Sequence, residues 1–237
     1  MAQRRRSPTH LRPVSIRTDV VRTSLASALI SQGRTQVLVT ANAEARVPTF
    51  LEGSTRGWVT AEYDMLPGST PGRKSRQRWG APDGRVLEIG RLVGRALRAA
   101  VDLGKLTGHS VRVDCDVLEA DGGTRTAAVT GGFVALALAL RRLGRECAPA
   151  AQAVRWHVAA VSVGLVDGEA WLDLDYDLDS RAEVDLNVVM TERGKLVEVQ
   201  GSAEGAPFSR RSLLELLSLA RAGIVQLVAA QKRVLRA

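Results

Sequence analysis

Aromatic residues, cysteine and histidine are all scarce in this chain. Of its 237 residues, 4% are aromatic, two are cysteine and three are histidine. The cysteines lack the spacing of a zinc site and are too few for a disulfide framework. Cys115 alternates with the valines around it, which predicts a reduced thiol on the buried face of a strand. The histidines fit no catalytic triad and there is no G-x-S-x-G motif, so nothing points to a hydrolase with a nucleophilic serine or cysteine.

Long apolar runs are also missing. The longest apolar segment, residues 133–140, is far shorter than the ~20 residues that span a bilayer. Arginines at positions 4–6 are not followed by the apolar stretch of a signal peptide. We therefore expect a cytoplasmic protein without a membrane partner.

Positive charge dominates what is present. The chain has 33 lysines and arginines against 25 acidic residues, a net charge of +8 and a pI near 10.4. Such a balance favours anionic partners, with nucleic acid first and an anionic membrane surface second. A basic protein without such a partner has the same composition, so the position of the charges has to decide.

The hydrophobic pattern predicts a mixed fold of strands and helices. A flexible basic arm over residues 1–10 precedes the first strands, which turn at residues 32–34. Helical periodicity begins after Gly84 and again after a glycine loop at residues 121–125, and Ser209 is placed to cap a long final helix. The other predicted strands are residues 58–65, 111–118, 154–166, 170–178, 184–190 and 196–200. Because strands and helices do not alternate strictly, the fold class is α+β, with a linker near residues 145–153.

A glycine loop with the sequence DGGTRT lies between a predicted strand and a predicted helix. Glycine lets backbone N–H groups approach an anion, and the start of a helix carries partial positive charge. Gly123 belongs to this loop, Thr124 adds a hydroxyl donor, and Arg125 is suited to bidentate binding of phosphate oxygens. The plainer interpretation is a turn with a helix cap.

Two further basic features have the same ambiguity. Arg85 stands at the start of the earlier helix, where a cation is unfavourable unless an anion is bound or solvent screens it. The segment from Gly72 to Arg78 holds four basic residues and no acidic one. Such a loop is suited to following a phosphate backbone, although a run this short is often only a solvated surface.

Acidic residues form the last candidate site. Asp173, Asp175, Asp177 and Asp179 alternate with apolar residues, so on a strand they would share one face, and Asp185 follows on the next strand. Crowded carboxylates are unfavourable unless arginines, Mg²⁺ or solvent offset their charge. Paired carboxylates bind Mg²⁺ or supply a proton donor with a raised pKa, whereas an exposed polar face has no such role.

At these residues the sequence resembles the ribonuclease PH family, from about Leu11 to Gln231. The resemblance implies two βαβα-type lobes, at residues 11–144 and 154–237, in chains that form a ring-shaped homohexamer, a trimer of dimers. The stretches that carry it are TAEYDMLPGST (60–70), GRVLEIGRLVGRALRAAVDL (84–103), CDVLEADGGTRTAAVTG (115–131), DLDYDLDSRAEVDLNVVMTERG (173–194) and VEVQGSAEGAPFS (197–209).

The resemblance also implies an activity, namely phosphorolytic 3′→5′ trimming of tRNA precursors and other structured RNAs. Inorganic phosphate is the co-substrate, nucleoside diphosphates are released, and the reverse reaction adds nucleotides. The matching motifs assign phosphate binding to Arg85, Gly123, Thr124 and Arg125, and catalysis and Mg²⁺ binding to Asp179 and Asp185. They assign guidance of the RNA 3′ end to Arg73 and Arg76.

Two departures from the family pattern concern the RNA path. Gly68 stands where many members carry a basic residue, and the loop before Arg85 is shorter by a residue. One competing interpretation is a ring subunit that binds RNA without cutting it, but such subunits lack part of the arginine and aspartate set. Another, a basic ribosome-associated factor, explains the charge but not the Asp179–Asp185 pair.

Overall fold

The first half of the chain forms a mixed five-stranded sheet. The computed structural model describes residues 6–76 and 83–236. The strands are β1 (Val14–Thr18), β2 (Ala26–Gln32), β3 (Thr35–Glu44), β4 (Trp58–Met65) and β5 (Ser110–Glu119), in the order β1-β2-β3-β5-β4. Only β4 and β5 are parallel. The predicted turn at residues 32–34 is confirmed, with Gly33 at φ 60° between β2 and β3.

Helices α1 (Gly84–Ala99) and α2 (Thr124–Leu143) lie against this sheet. Val93 and Leu97 of α1 and eleven of the 20 residues of α2 are buried in one core cluster. That cluster also includes Val158, Val189 and Leu235 from the second half of the chain. Helix α2 therefore lies in a core that both halves share.

The second half forms an antiparallel sheet of four strands. These are β6 (Val158–Val166), β7 (Glu169–Leu172), β8 (Val184–Thr191) and β9 (Leu196–Ala203), in the order β7-β6-β8-β9. A short helix, α3 (Tyr176–Asp179), connects β7 to β8. With strands and helices mixed in this way, the predicted α+β class is confirmed.

The long helix α4 (Arg210–Arg236) closes the fold. The Ser209 hydroxyl oxygen accepts a hydrogen bond from Ser212 N at 3.1 Å, so the predicted cap is present. Gln231 of α4 is completely buried, and its Nε2 donates to Thr130 O of α2 at 3.0 Å and to Val158 O of β6 at 2.9 Å. This amide fixes α4 to both halves of the chain.

Length and composition alone would allow α2 and α4 to cross a membrane. Most of α2 is buried inside the protein, as the core helix of a globular domain is. The sequence prediction counted only uninterrupted apolar residues. Small and polar residues interrupt the apolar residues of both helices, so neither helix was counted.

The predicted strand at residues 170–178 is wrong beyond Leu172. Asp173 has φ 58°, which turns the chain out of the sheet, and Asp175 then caps α3 by accepting a hydrogen bond from Leu178 N at 3.0 Å. Short carboxylate side chains bond to nearby backbone N–H groups, and this local bonding prevails over the alternating pattern. The four aspartates therefore do not share a strand face.

The predicted basic arm at residues 1–10 is only partly described, since residues 1–5 lie outside the described residues. Residues 6–10 are held against the second sheet. Pro8 O accepts a hydrogen bond from Leu172 N at 2.8 Å, and Arg6 Nη2 donates to Asp173 O at 2.7 Å. The segment nearest the fold is thus anchored rather than flexible.

Candidate active site

The glycine loop leads directly into α2, as its sequence predicts. Gly122 and Gly123 have φ angles of 71° and 66° in the left-handed region. A Cβ at Gly122 would lie 2.5 Å from Leu174 O, so glycine is required by space as well as by conformation. Within the described part of the chain, no side chain caps α2 and its first turn has no acidic residue. The N-terminus of α2 is therefore electrostatically prepared for an anion.

Tyr63 orients the first hydroxyl of this helix. Its ring is 3% exposed, and its hydroxyl donates to Thr124 Oγ1 at 2.8 Å. Burial raises the pKa of Tyr63, while the charges of Arg85 and Arg125 act in the opposite direction. Both guanidinium groups therefore lie near the start of α2.

Arg125 is held from one side by polar residues of α1 and β9. Its Nη1 donates to Gln200 Oε1 at 3.3 Å and lies 3.6 Å from Glu88 Oε2. Gln200 Nε2 in turn donates to Glu88 Oε1 at 2.9 Å. This small network fixes the position of the guanidinium, and its remaining donors are available to a ligand.

Arg85 is exposed and stands at the second position of α1. Asp83 precedes it and caps the helix, because its Oδ1 accepts a hydrogen bond from Arg85 N at 2.9 Å. The cap compensates in part for a cation at a helix N-terminus. The side chain of Arg85 is left to interact with groups across the site.

Asp179 and Asp185 come together from the end of α3 and the start of β8. Burial raises the pKa of Asp185 to about 6, and the neighbouring charge of Asp179 adds to the effect. Burial also raises the pKa of Asp179, although this residue keeps an exposed surface, and Arg85 and Arg125 oppose the shift. Mutual interaction of all four charges shows that they form one cluster, and raised carboxylate pKa values are typical of functional sites.

The carboxylate of Asp185 is only half satisfied. Its Oδ2 accepts a hydrogen bond from Asn187 Nδ2 at 3.4 Å, whereas its buried Oδ1 has no partner among the described residues. A buried acceptor without a donor is costly, so such an atom in a native site is a candidate metal or substrate ligand.

Mg²⁺ commonly takes one or two carboxylates and completes its shell with phosphate oxygens and water. The Asp179–Asp185 pair and the open Oδ1 fit this requirement. Over residues 6–76 and 83–236, no three or more His, Cys, Asp or Glu side chains converge as a self-sufficient metal site. A metal held here would therefore complete its shell with water or with oxygens of the substrate.

Arg73 and Arg76 are exposed on the segment that follows β4. In the described structure, no hydrogen bond or ion pair joins them to the cluster of Arg85, Arg125, Asp179 and Asp185. Residues 77–82, which include Arg78 and most of the shortened loop before Arg85, lie outside the described residues. Gly68 is exposed, with open space where a side chain would project.

Sequence reasoning missed several residues of the site. Tyr63 and Gln200 lie in strands, where the alternating pattern predicts only buried and exposed faces. Glu88 lies on a helix with many other charged residues. A fourth omission is the buried ion pair between Arg12 and Asp173. Partners so distant along the chain leave no local sequence signal.

Two domains of a known protein family match most of this chain. The first domain of the 3′ exoribonuclease family, RNase PH, matches residues 10–141, and the second domain of that family matches residues 157–223. An Archaeoglobus fulgidus exosome with RNA bound to the active site shares 25% identity at a TM-score of 0.80, covering 94% of this chain and 90% of that chain.

Two further structures share the fold. Rrp46 from rice (Oryza sativa) has 17% identity and a TM-score of 0.78, with 98% of each chain covered. An archaeal exosome core has 24% identity and a TM-score of 0.77, covering 96% of this chain and 89% of that chain. Both family domains are present in order and together match more than half of the chain, so the chain belongs to the 3′ exoribonuclease family.

Proposed function

We propose that this protein is a phosphorolytic 3′→5′ exoribonuclease that trims the 3′ ends of tRNA precursors and other structured RNAs. One observation carries the proposal: two arginines at helix N-termini face two carboxylates from the second half of the chain. Arg85 and Arg125 both act electrostatically on Asp179 and Asp185. A site of this composition suits a reaction that brings an anion against an anionic diester.

In the proposed reaction an oxygen of inorganic phosphate attacks the phosphorus of the terminal phosphodiester. The bond from that phosphorus to the 3′ oxygen of the preceding nucleotide breaks. The terminal nucleotide leaves as a nucleoside 5′-diphosphate, and the shortened RNA ends in a 3′ hydroxyl. Similar bonds are made and broken, so the reaction also runs in reverse and adds nucleotides from diphosphates.

Phosphate needs no activating base, because it is already an anion. The difficulty is charge repulsion, which Arg125, Arg85 and the N–H groups of Gly123 and Thr124 relieve in a preorganised site. A protonated carboxyl group, of Asp179 or Asp185, donates a proton to the departing 3′ oxygen. Burial raises the pKa of both residues, and that of Asp185 to about 6, so the protonated form of Asp185 stays accessible near neutral pH.

Mg²⁺ is the proposed cofactor, with Asp179 and Asp185 as the residues that hold it. The unpartnered Oδ1 of Asp185 supports this assignment. When bound, the ion would supply positive charge that screens the phosphate oxygens.

Guidance of the RNA and assembly into a ring complete the proposal. Arg73 and Arg76 are exposed cations on one loop, suited to contacting the RNA backbone without reading its bases. Exposed apolar side chains, Leu196 and Val199 on β9 and Leu214 and Val225 on α4, provide surface for neighbouring subunits of a homohexamer. The likeness to subunits of exosome cores supports a ring, and the RNA at the active site of the Archaeoglobus exosome supports RNA as the substrate.

The test is incubation of the purified protein with a 3′-extended tRNA and Mg²⁺, with and without inorganic phosphate. Nucleoside diphosphates are expected only when phosphate is present, and Arg125→Ala should abolish their release. Release of monophosphates without phosphate would mean hydrolysis and would refute the mechanism.

A second candidate is a ring subunit that binds RNA without cutting it. The likeness to exosome subunits favours this alternative, while retention of both arginines and both aspartates favours the enzyme. RNA binding with no nucleotide release under any phosphate concentration, in an assembled ring, would establish the scaffold function instead.

A further inference from the structure

A buried ion pair connects the start of the chain to the acidic segment. The side chain of Arg12 is 7% exposed and that of Asp173 is 0% exposed. Arg12 Nη2 donates to Asp173 Oδ1 at 2.7 Å, its Nε donates to Oδ2 at 3.0 Å, and its backbone N donates to Oδ2 at 2.8 Å. Asp173 Oδ2 also accepts a hydrogen bond from Arg6 Nη1 at 3.3 Å. Arginine donors thus satisfy both carboxylate oxygens, and Arg12 supplies three of them.

This arrangement is expensive for a fold to maintain. Removing two charges from water costs free energy that their attraction often fails to recover, so a buried ion pair is weak evidence for stabilisation. Asp173 also adopts the left-handed backbone conformation, at φ 58°, which a residue with a side chain rarely does. Strain and buried charge at one position point to a role in arranging a site.

The same guanidinium reaches the glycine loop. Arg12 Nη1 donates to Asp121 O, and its Nη2 lies 3.4 Å from Gly122 O. Thr35, which is completely buried, donates from Oγ1 to Gly122 O at 2.6 Å and accepts from Asp121 N at 2.9 Å. Arg12, just before β1, and Thr35, at the start of β3, therefore hold the carbonyl groups of this loop.

Holding the carbonyl groups also directs the N–H groups. In a planar trans peptide the C=O and the following N–H point in opposite directions. With Asp121 O and Gly122 O turned towards Arg12, the N–H groups of Gly122 and Gly123 turn away from it. Gly33 leaves room for this contact, because a Cβ there would lie 2.6 Å from Arg12 Cδ.

We propose that Arg12 is a positioning residue that, with Asp173 and Thr35, presents the N–H groups of the glycine loop to phosphate. The ion pair ties this loop to the segment that leads from Asp173 to Asp179, so the phosphate site and the carboxylates keep one relative arrangement. The inference rests on the proposed function in one respect: the anion bound at the loop is inorganic phosphate.

The experiment measures phosphate affinity directly, by titration calorimetry, beside the kinetics of phosphorolysis and the binding of a labelled RNA without phosphate. Arg12→Lys keeps the charge but loses the bidentate geometry. It should weaken phosphate binding about tenfold, as loss of a residue that supports a preorganised site commonly does. RNA affinity should change little.

Thr35 supplies an independent pair of variants. Thr35→Val keeps the shape and removes both loop hydrogen bonds. Phosphate binding should weaken about fivefold, which is the contribution of one ordinary hydrogen bond, because Arg12 still holds the loop carbonyl groups. Thr35→Ser keeps the hydroxyl and should restore the affinity. These variants decide the question even if Arg12→Lys fails to fold.

Arg142→Lys is the matched control. Arg142 also bonds an aspartate and a backbone carbonyl, Asp19 Oδ1 at 2.7 Å and Leu25 O at 2.7 Å, but at the other end of α2. Its replacement should leave phosphate affinity unchanged.

Each outcome is decisive. Unchanged phosphate affinity in Arg12→Lys and Thr35→Val would overturn the inference. An equal fold-loss of phosphate affinity and RNA affinity would overturn it as well, because it would indicate a general structural defect. If the wild type binds phosphate but releases no diphosphates, the exoribonuclease proposal fails while the variants still test the loop. If the wild type binds no phosphate, both proposals fall.

Discussion

Asp185→Asn should abolish activity and at the same time make the folded protein more stable at neutral pH. In the native state the pKa of Asp185 is raised from 3.8 to about 6, first by burial and then by the charge of Asp179. The ionised carboxylate is therefore disfavoured by folding. An asparagine has no charge to bury, and its carbonyl oxygen still accepts the hydrogen bond that Asn187 donates.

The magnitude follows from the size of the shift. A difference of roughly 2 pKa units corresponds to about 3 kcal/mol, at ~1.4 kcal/mol per unit. Because the folded pKa lies above the unfolded value, folding binds a proton between about pH 4 and pH 6, and stability falls as the pH rises through this window. The free-energy cost of burying the ionised carboxylate of Asp185 reaches its full value above pH 6. Residual solvent screening reduces it to about 2 kcal/mol, or roughly 4–8 °C in melting temperature for a chain of this size.

The assay is thermal unfolding of wild type and Asp185→Asn from pH 4.5 to pH 8, with EDTA and without phosphate. The gap between the two melting temperatures should widen as the pH rises to about 6 and then stay constant. Asp177→Asn, an exposed position on α3, serves as the control for loss of a negative charge. A constant difference between the two melting temperatures at all pH values would refute the reasoning. So would an asparagine variant that is less stable than the wild type at pH 7.5.

Three other predictions test the site. In a denaturant titration, Gly122→Ala should lower the free energy of unfolding by roughly 3–4 kcal/mol, because φ is left-handed and the new Cβ clashes with Leu174 O. The control Gly168→Ala, at φ 75° with open space around it, should lower the free energy of unfolding by only about 1–2 kcal/mol. Tyr63→Phe removes the hydrogen bond to Thr124 Oγ1 and should raise the KM for phosphate about fivefold with kcat little changed; an unchanged KM would contradict the placement of phosphate at α2. Replacing Arg73 and Arg76 together with glutamine should make the salt dependence of RNA binding shallower by about 1.4 in log–log slope, with the phosphate KM unaffected; an unaltered slope would remove both residues from the RNA path.

Much of the fold follows from local patterns. The strand at Trp58–Met65, the glycine turn after β2, the helix after Gly84 and the Ser209 cap are each set by residues close together in sequence, and each is confirmed. Alternation failed at residues 170–178, because the carboxylates of Asp173 and Asp175 bond to partners instead of sharing a sheet face.

The site was predictable only to the extent that its residues lie in motifs. The structure brings Arg85, Arg125, Asp179 and Asp185 together as one cluster, and their chemical roles stay predictions. The positions of Arg12, Thr35 and Gln200 depend on packing across the fold, which adjacent residues do not encode. Arg12 contacts Asp173 across 161 positions of the chain, a separation at which spacing carries no information.

The burial of α2 in a core shared by both sheets has a consequence for motion. A site at the junction of two lobes often opens and closes by rotation about a hinge. Here Gln231 bonds to α2 and β6 at once, and Val158, Val189 and Leu235 pack in the same cluster as the first sheet. Rotation of one lobe would break all of these contacts together, so Arg85 and Arg125 of the first lobe cannot separate from Asp179 and Asp185 of the second without partial unfolding.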